Sequence, residues 1–141
     1  MKVIIAGSRN ITSMKELLIA IDNSKFDITT VISGGAKGVD TLGENWAENK
    51  CIPVEKFPAN WAVHGNSAGY LRNEVMASKG DALIALWDGQ SKGTKHMIDL
   101  AKKYNLEVYI HYAEPSAQPK FIKLSEKEET NLQNWIENET K

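Results

Sequence analysis

Ser33 to Asp40, SGGAKGVD, sets three glycines, a lysine and a carboxylate between an apolar run and the start of a helical pattern. Gly34, Gly35 and Gly38 permit positive φ and close approach of backbone amides, and a following helix adds about half a positive charge at its N-terminus. That chemistry suits a phosphate cradled along Gly34, Gly35, Ala36, Lys37 and Gly38. The same glycines also serve a plain tight turn. Asp40 has two readings as well: a helix-start carboxylate satisfying the dipole, or an acceptor for ribose hydroxyls or a metal-bound water. The order of residues is neither G-x-x-x-x-G-K-[ST] nor G-x-G-x-x-G.

Three further stretches carry comparable chemistry. Gly7, Ser8 and Arg9 follow an apolar run with a hydroxyl and a guanidinium, a pair able to grip phosphate, bidentately in the case of Arg9. Arg72, Asn73 and Glu74 supply a cation, an amide and a carboxylate within a helical pattern whose apolar stripe is read as Ala68, Leu71 and Val75, which turns Arg72 and Asn73 to one side. Asp88, Gly89, Ser91, Gly93 and Thr94 lie in DGQSKGT: the glycines clear space, the hydroxyls stand beside helix amides, and Thr94 doubles as a candidate N-cap. Trp61 and His64 fall in the loop-like stretch 58–69, where Trp61 either plugs the surface or walls a site and stacks on a base. His64, His96 and His111 lack metal-ligand spacing, no G-x-S-x-G elbow occurs, and Cys51 reads as buried filler rather than a nucleophile.

Positioning these residues falls to short apolar runs at Val3–Ala6, Thr30–Ile32, Ile52–Phe57, Ala82–Trp87 and Val108–Ile110, separated by segments of helical period. Ser13 and Glu16 have capping-box spacing ahead of Met14, Leu17, Leu18 and Ile21; Val39, Leu42 and Trp46 stripe the second helix; Thr94, Met97, Ile98 and Ala101 stripe the last of four. Strict β-α alternation predicts right-handed crossovers into a parallel sheet, hence a doubly wound α/β domain. The first, second, fourth and fifth runs read as strands covered on both faces. The third, with Glu55, Lys56 and two prolines, reads as an edge. In such sheets ligands bind beyond the carboxyl ends of strands, which is where all four polar stretches fall.

The 141 residues, 42% hydrophobic and 25% charged, fit one globular domain at residues 1–112, followed by a linker and C-terminal helix at 113–141. Ser125 and Glu128 give that helix a capping-box spacing, and Leu132, Trp135 and Ile136 would dock it on the domain or on a second copy, making a homo-oligomer; a frayed acidic tail is the alternative. A formal charge of -1 argues against a nucleic-acid partner gripped by a global basic field. One cysteine excludes an internal disulfide and a cysteine-based zinc site. With no signal-like or membrane-spanning run, a cytoplasmic location is expected.

Taken in order, GSR, SGGAKGVD, FPANW, AGYLRNE and DGQSKGTKHMI resemble the SLOG superfamily over residues 1–112, nearest its YspA-like, YpsA-related branch, which is widespread in bacteria and phages. The resemblance implies a Rossmann-like domain with a five-stranded, mainly parallel sheet. It also implies a nucleotide or nucleotide-derived ligand, such as an ADP-ribose relative, at Gly34–Asp40, Arg72–Asn73 and Gly93–Thr94. The wider superfamily includes LOG enzymes, which cleave the N-glycosidic bond of cytokinin nucleotides, and DprA-like proteins, which bind single-stranded DNA. Where LOG enzymes carry a catalytic Glu, this chain has Met97, and a thioether is neither acid nor base. Binding of a small nucleotide is therefore the leading expectation. The alternative is a nucleotide N-glycosidase drawing on Asp40, Arg72, Glu74 or Asp88, and single-stranded DNA binding ranks third. No metal is expected.

Overall fold

A computed structural model describes residues 1–115. The inferred linker and C-terminal helix lie, from residue 116 onward, outside the described residues. Five strands, β1 (Lys2–Gly7), β2 (Thr30–Ser33), β3 (Val54–Lys56), β4 (Ala82–Trp87) and β5 (Glu107–Tyr112), alternate with α1 (Met14–Ser24), α2 (Val39–Asn49), α4 (Ala68–Lys79) and α5 (Lys92–Lys103). A single turn, α3 (Trp61–His64), and a 3-10 turn at Gly65–Ser67 stand before α4. The stretch read as loop thus holds a short helix, started by Asn60, whose side chain accepts from the Val63 amide at 3.2 Å.

The sheet is wholly parallel, in the order β3-β2-β1-β4-β5. Chain direction across the sheet reverses between β1 and β4, which pair from Val3↔Ala82 to Gly7↔Leu86. That boundary is the switch point at which parallel sheets open a crevice. Period-two alternation sends Val3, Ile5, Ile84 and Leu86 to one face under Leu17 and Ala20 of α1 and Val39 and Ala47 of α2. Ile4, Leu83 and Ala85 go to the other, under Met76 and Ala77 of α4 and Met97 and Ile98 of α5. Burying each large aliphatic side chain contributes about 1.5–3 kcal/mol, so the two layers hold β1 and β4 firmly beneath whatever their ends present.

Four details depart from the sequence reading. β5 is an edge strand: it pairs only with β4, and its residues are half-buried or exposed. On α4, Leu71 and Val75 are 43% and 44% exposed, while Ala68, Asn73, Met76 and Ala77 are buried. The buried face is therefore rotated by about one residue, because partners across the fold satisfy the polar Arg72 and Asn73 facing inward. Leu18 of α1 is exposed. Cys51 is exposed too, at φ 56 just past α2, and is not buried filler.

Candidate functional site

At the switch point β1 ends in Gly7, where a Cβ would stand 2.2 Å from the Leu86 carbonyl oxygen and 2.7 Å from Val39 Cγ2. Only glycine lets β1, β4 and α2 converge this closely. Ser8 follows, 1% exposed; its amide donates to the Leu86 carbonyl at 3.1 Å and its hydroxyl accepts from the Asp88 amide at 3.3 Å, binding the two strand ends together. Asp88 in turn accepts from the Gln90 and Ser91 amides at 2.9 and 2.8 Å. These bonds, that to Ser91 foremost, hold its carboxyl below the usual range. Asp88 thus shapes the turn, which Gly89 closes at φ 83.

The turn delivers the start of α5. Ser91, not Thr94, is its N-cap, the Ser91 hydroxyl accepting from the Thr94 amide at 3.4 Å. Thr94 sits one turn in, buried, its hydroxyl 3.1 Å from that of Ser91. The Lys92 and Gly93 amides, first in the helix, have no carbonyl one turn back to receive them.

Opposite, the glycine loop after β2 is largely occupied by the protein's own groups. The Gly35 amide donates to Ser33 Oγ at 3.1 Å, and the Ala36 amide donates to Asp40 Oδ2 at 3.2 Å. Gly38, at φ 79, lies against the Arg9 backbone, where a Cβ would come within 2.6 Å of the Arg9 carbonyl oxygen. Of the amides expected to cradle a phosphate along Gly34–Gly38, two thus already have acceptors within the protein, one of them a carboxylate. Lys37 is exposed and does not line the cavity described below.

Asp40 is 5% exposed. Desolvation pushes its carboxyl up to about 6, against the opposing effects of the Ala36 amide, Arg72 and Arg9. Among the described residues its Oδ1 has no hydrogen-bond partner.

From α4, Arg72 reaches across to donate through Nη1 to the Gly34 carbonyl at 2.5 Å and through Nε to Asn73 Oδ1 at 3.1 Å. Asn73 Nδ2 spans to the Gly93 carbonyl at 3.4 Å and to His96 Nδ1 at 3.2 Å. With both ends of its amide engaged, Asn73 is a clamp that orients Arg72 and ties α4 to α5. Burial lowers the pKa of His96, which suits a neutral ring accepting from Asn73. Neither Arg9 nor Arg72 forms a salt bridge among the described residues.

These groups surround one cavity of about 510 Å³. Gly7, Ser8, Arg9 and Asn10 come to it from β1, Ala36 and Asp40 from the β2 side, Arg72 and Asn73 from α4, and Asp88, Gln90, Ser91, Gly93 and Thr94 from the β4 side. Ala6, Met76 and Met97 make an apolar floor. Gly34 and Gly35 line a smaller neighbouring hollow, while Lys37, Gly38 and Gly89 line neither. Glu74 is exposed and accepts from the Tyr104 hydroxyl at 3.4 Å, away from the cavity. Asn10 and Gln90 were not singled out from the sequence, although each is adjacent in the chain to a residue that was. The sequence gives His96 no metal-ligand spacing; its role toward Asn73 depends on a contact 23 residues distant. No group of three or more potential metal ligands occurs among the described residues, and none of their helices is long and apolar enough to cross a membrane.

Comparison with known proteins gives both a sequence and a fold relationship. The model of the YspA, cpYpsA-related SLOG family, YAcAr, matches residues 1–64. The Gene 61 protein of Mycobacterium phage D29 is 32% identical, over 76% of this chain and 93% of that protein. Among solved structures, DNA processing protein A (DprA) from Streptococcus pneumoniae is similar with a TM-score of 0.62 at 17% identity, covering 94% of this chain and 56% of that one. DNA processing protein A from Helicobacter pylori is similar with a TM-score of 0.58 at 19% identity, covering 96% and 73%. The chain thus spans little more than half the length of the streptococcal protein, and these two likenesses are of fold.

Proposed function

Since the chain belongs to the YspA, cpYpsA-related SLOG family, we propose that its cavity binds a nucleoside phosphate or an ADP-ribose-type ligand. The phosphate lies before the Lys92 and Gly93 amides, beside the Thr94 hydroxyl, with Arg72 and Arg9 balancing its charge. Asp40, through the oxygen not engaged by Ala36, accepts from a ribose hydroxyl. One observation carries the reading: two guanidinium groups that form no salt bridge among the described residues and one buried carboxylate border the same cavity of about 510 Å³. The apolar floor with a few convergent polar groups is the usual make-up of a small-molecule site. Calorimetry against AMP, ADP-ribose and cyclic ADP-ribose tests it: saturable heat with at least one supports the reading, and none with any of them overturns it.

A second reading, N-glycosidic cleavage, draws on Asp40. A carboxyl near 6 in a cavity is suited to exchanging protons and to stabilising a ribosyl cation while water adds at C1′ and the base departs protonated. Chromatography for free base after incubation with nucleoside monophosphates separates enzyme from binding module. Release that survives Asp40→Asn excludes Asp40 as the group responsible. The Helicobacter pylori neighbour is described by its single-stranded DNA binding mode, so an oligothymidylate belongs in the same panel; binding of it in preference to every mononucleotide would move the reading to DNA.

A further inference from the structure

Beside the main cavity lies a second hollow of about 160 Å³, bounded by Gly34, Gly35, Pro58, Ala59 and Trp61. Arg9, Ala36 and Arg72 line both spaces, so the two open on either side of one pair of guanidinium groups. Trp61 begins α3, held there by the Asn60 cap, and is 52% exposed. Its Cη2 lies 3.5 Å from the point where a Cβ would stand on Gly69, and Arg72 Nη2 lies 3.8 Å from the same point. Indole and guanidinium thus both flank a residue without a side chain. On the hollow's other side Gly35, at φ 74, has nothing within 4 Å of where a Cβ would be. The space is of single-ring size, open, and flanked by an indole held outside the core.

We infer that this hollow is a second ring subsite, and that the ligand is a dinucleotide joined through a pyrophosphate. One nucleoside phosphate fills the main cavity, the bridge passes between Arg9 and Arg72, and a second planar base stacks on Trp61. The inference rests on the nucleotide reading above and narrows it from one-base to two-base ligands. Charge supports the bridge: a pyrophosphate linker carries two negative charges, and neither cation is spent in a salt bridge among the described residues. Trp stacking supports a base at the far end, because every nucleobase offers a flat π face whatever its identity.

AMP, ADP-ribose and NAD titrated into the protein and its Trp61→Ala and Trp61→Phe variants test this. AMP and ADP-ribose lack the second base that NAD carries. NAD is expected to bind about tenfold or more tightly than either, the contribution of one stacked base. Trp61→Ala brings NAD down to the level of ADP-ribose, which keeps the bridge but lacks the second base, while leaving AMP unchanged, and Trp61→Phe keeps most of the preference. Equal affinity of NAD and ADP-ribose for the parent protein, or an equal loss of AMP and NAD in Trp61→Ala, overturns the inference and leaves the nucleotide reading standing. Failure of all three ligands to bind overturns both. An oligothymidylate that outcompetes NAD in a Trp61-dependent manner replaces the dinucleotide with single-stranded DNA.

Discussion

Replacing Asp40 with Asn removes a charge that the folded protein holds at a cost. The carboxyl is buried beside the start of α2 and loses its proton near 6, against an ordinary value of 3.8. A group whose folded value is raised contributes its stabilisation fully below the unfolded value, and loses it as pH rises through the folded one. At 1.36 kcal/mol per pKa unit the ionised carboxylate costs about 3 kcal/mol at neutral pH. An Asn side chain retains an oxygen to accept from the Ala36 amide. Urea unfolding of both proteins from pH 4 to pH 7.5 reads the difference. The two should differ least at pH 4, and Asp40→Asn should gain on the parent progressively from about pH 4 to pH 6, levelling off at a gain of about 3 kcal/mol. A gain independent of pH, or a parent protein more stable than the variant at pH 7.5, would refute the reasoning. That cost fits the role proposed above for Asp40 toward a ligand.

Arg72→Gln removes a charge-assisted contact to the phosphate and should weaken AMP or ADP-ribose binding about 10- to 100-fold by calorimetry, with a shallower salt dependence than the parent. Asn73→Ala leaves the half-buried Arg72 Nε without its acceptor and unties α4 from α5, so it should lower stability by about 1–3 kcal/mol in urea unfolding and also weaken the ligand. Gly38→Ala forces a side chain into a left-handed conformation and onto the Arg9 backbone, which should cost about 1–3 kcal/mol or more and displace Arg9 from the cavity. Protonation of His96 puts a donor opposite the Asn73 amide; because burial lowers its value, that contact should persist at neutral pH and be lost only at a pH below the ordinary histidine range, visible in the ring resonances of His96 by NMR.

The parallel sheet was legible because alternation of apolar runs with helical stripes is a local property, and the polar strand ends follow from it. Glycines after β2 and β4 stood out for the same reason. What the loop after β2 does with its amides was not legible, since the acceptor for Ala36 is Asp40, which the same stretch offered equally as a ligand group. The inward face of α4 was hidden more deeply. Ala68, Leu71 and Val75 form a plausible stripe by spacing, and only the Gly34 carbonyl and the His96 ring, 38 and 23 residues from their partners, explain why Arg72 and Asn73 turn inward instead. The edge position of β5 was hidden because Val108–Ile110 is as apolar as a central strand; pairing decides it. Burial of Asp40, and with it the raised pKa, belongs to the packing of α2 against β1 and β2 and has no sign in composition.

Placement of the anion is the point on which the account turns. A crystal of the protein soaked with ADP-ribose should show phosphate oxygens within hydrogen-bond reach of the Lys92 and Gly93 amides, with the Arg72 guanidinium alongside and a ribose hydroxyl on Asp40. Ligand density elsewhere on the surface, with the cavity between β1 and β4 still holding only solvent at saturating ligand, would contradict it.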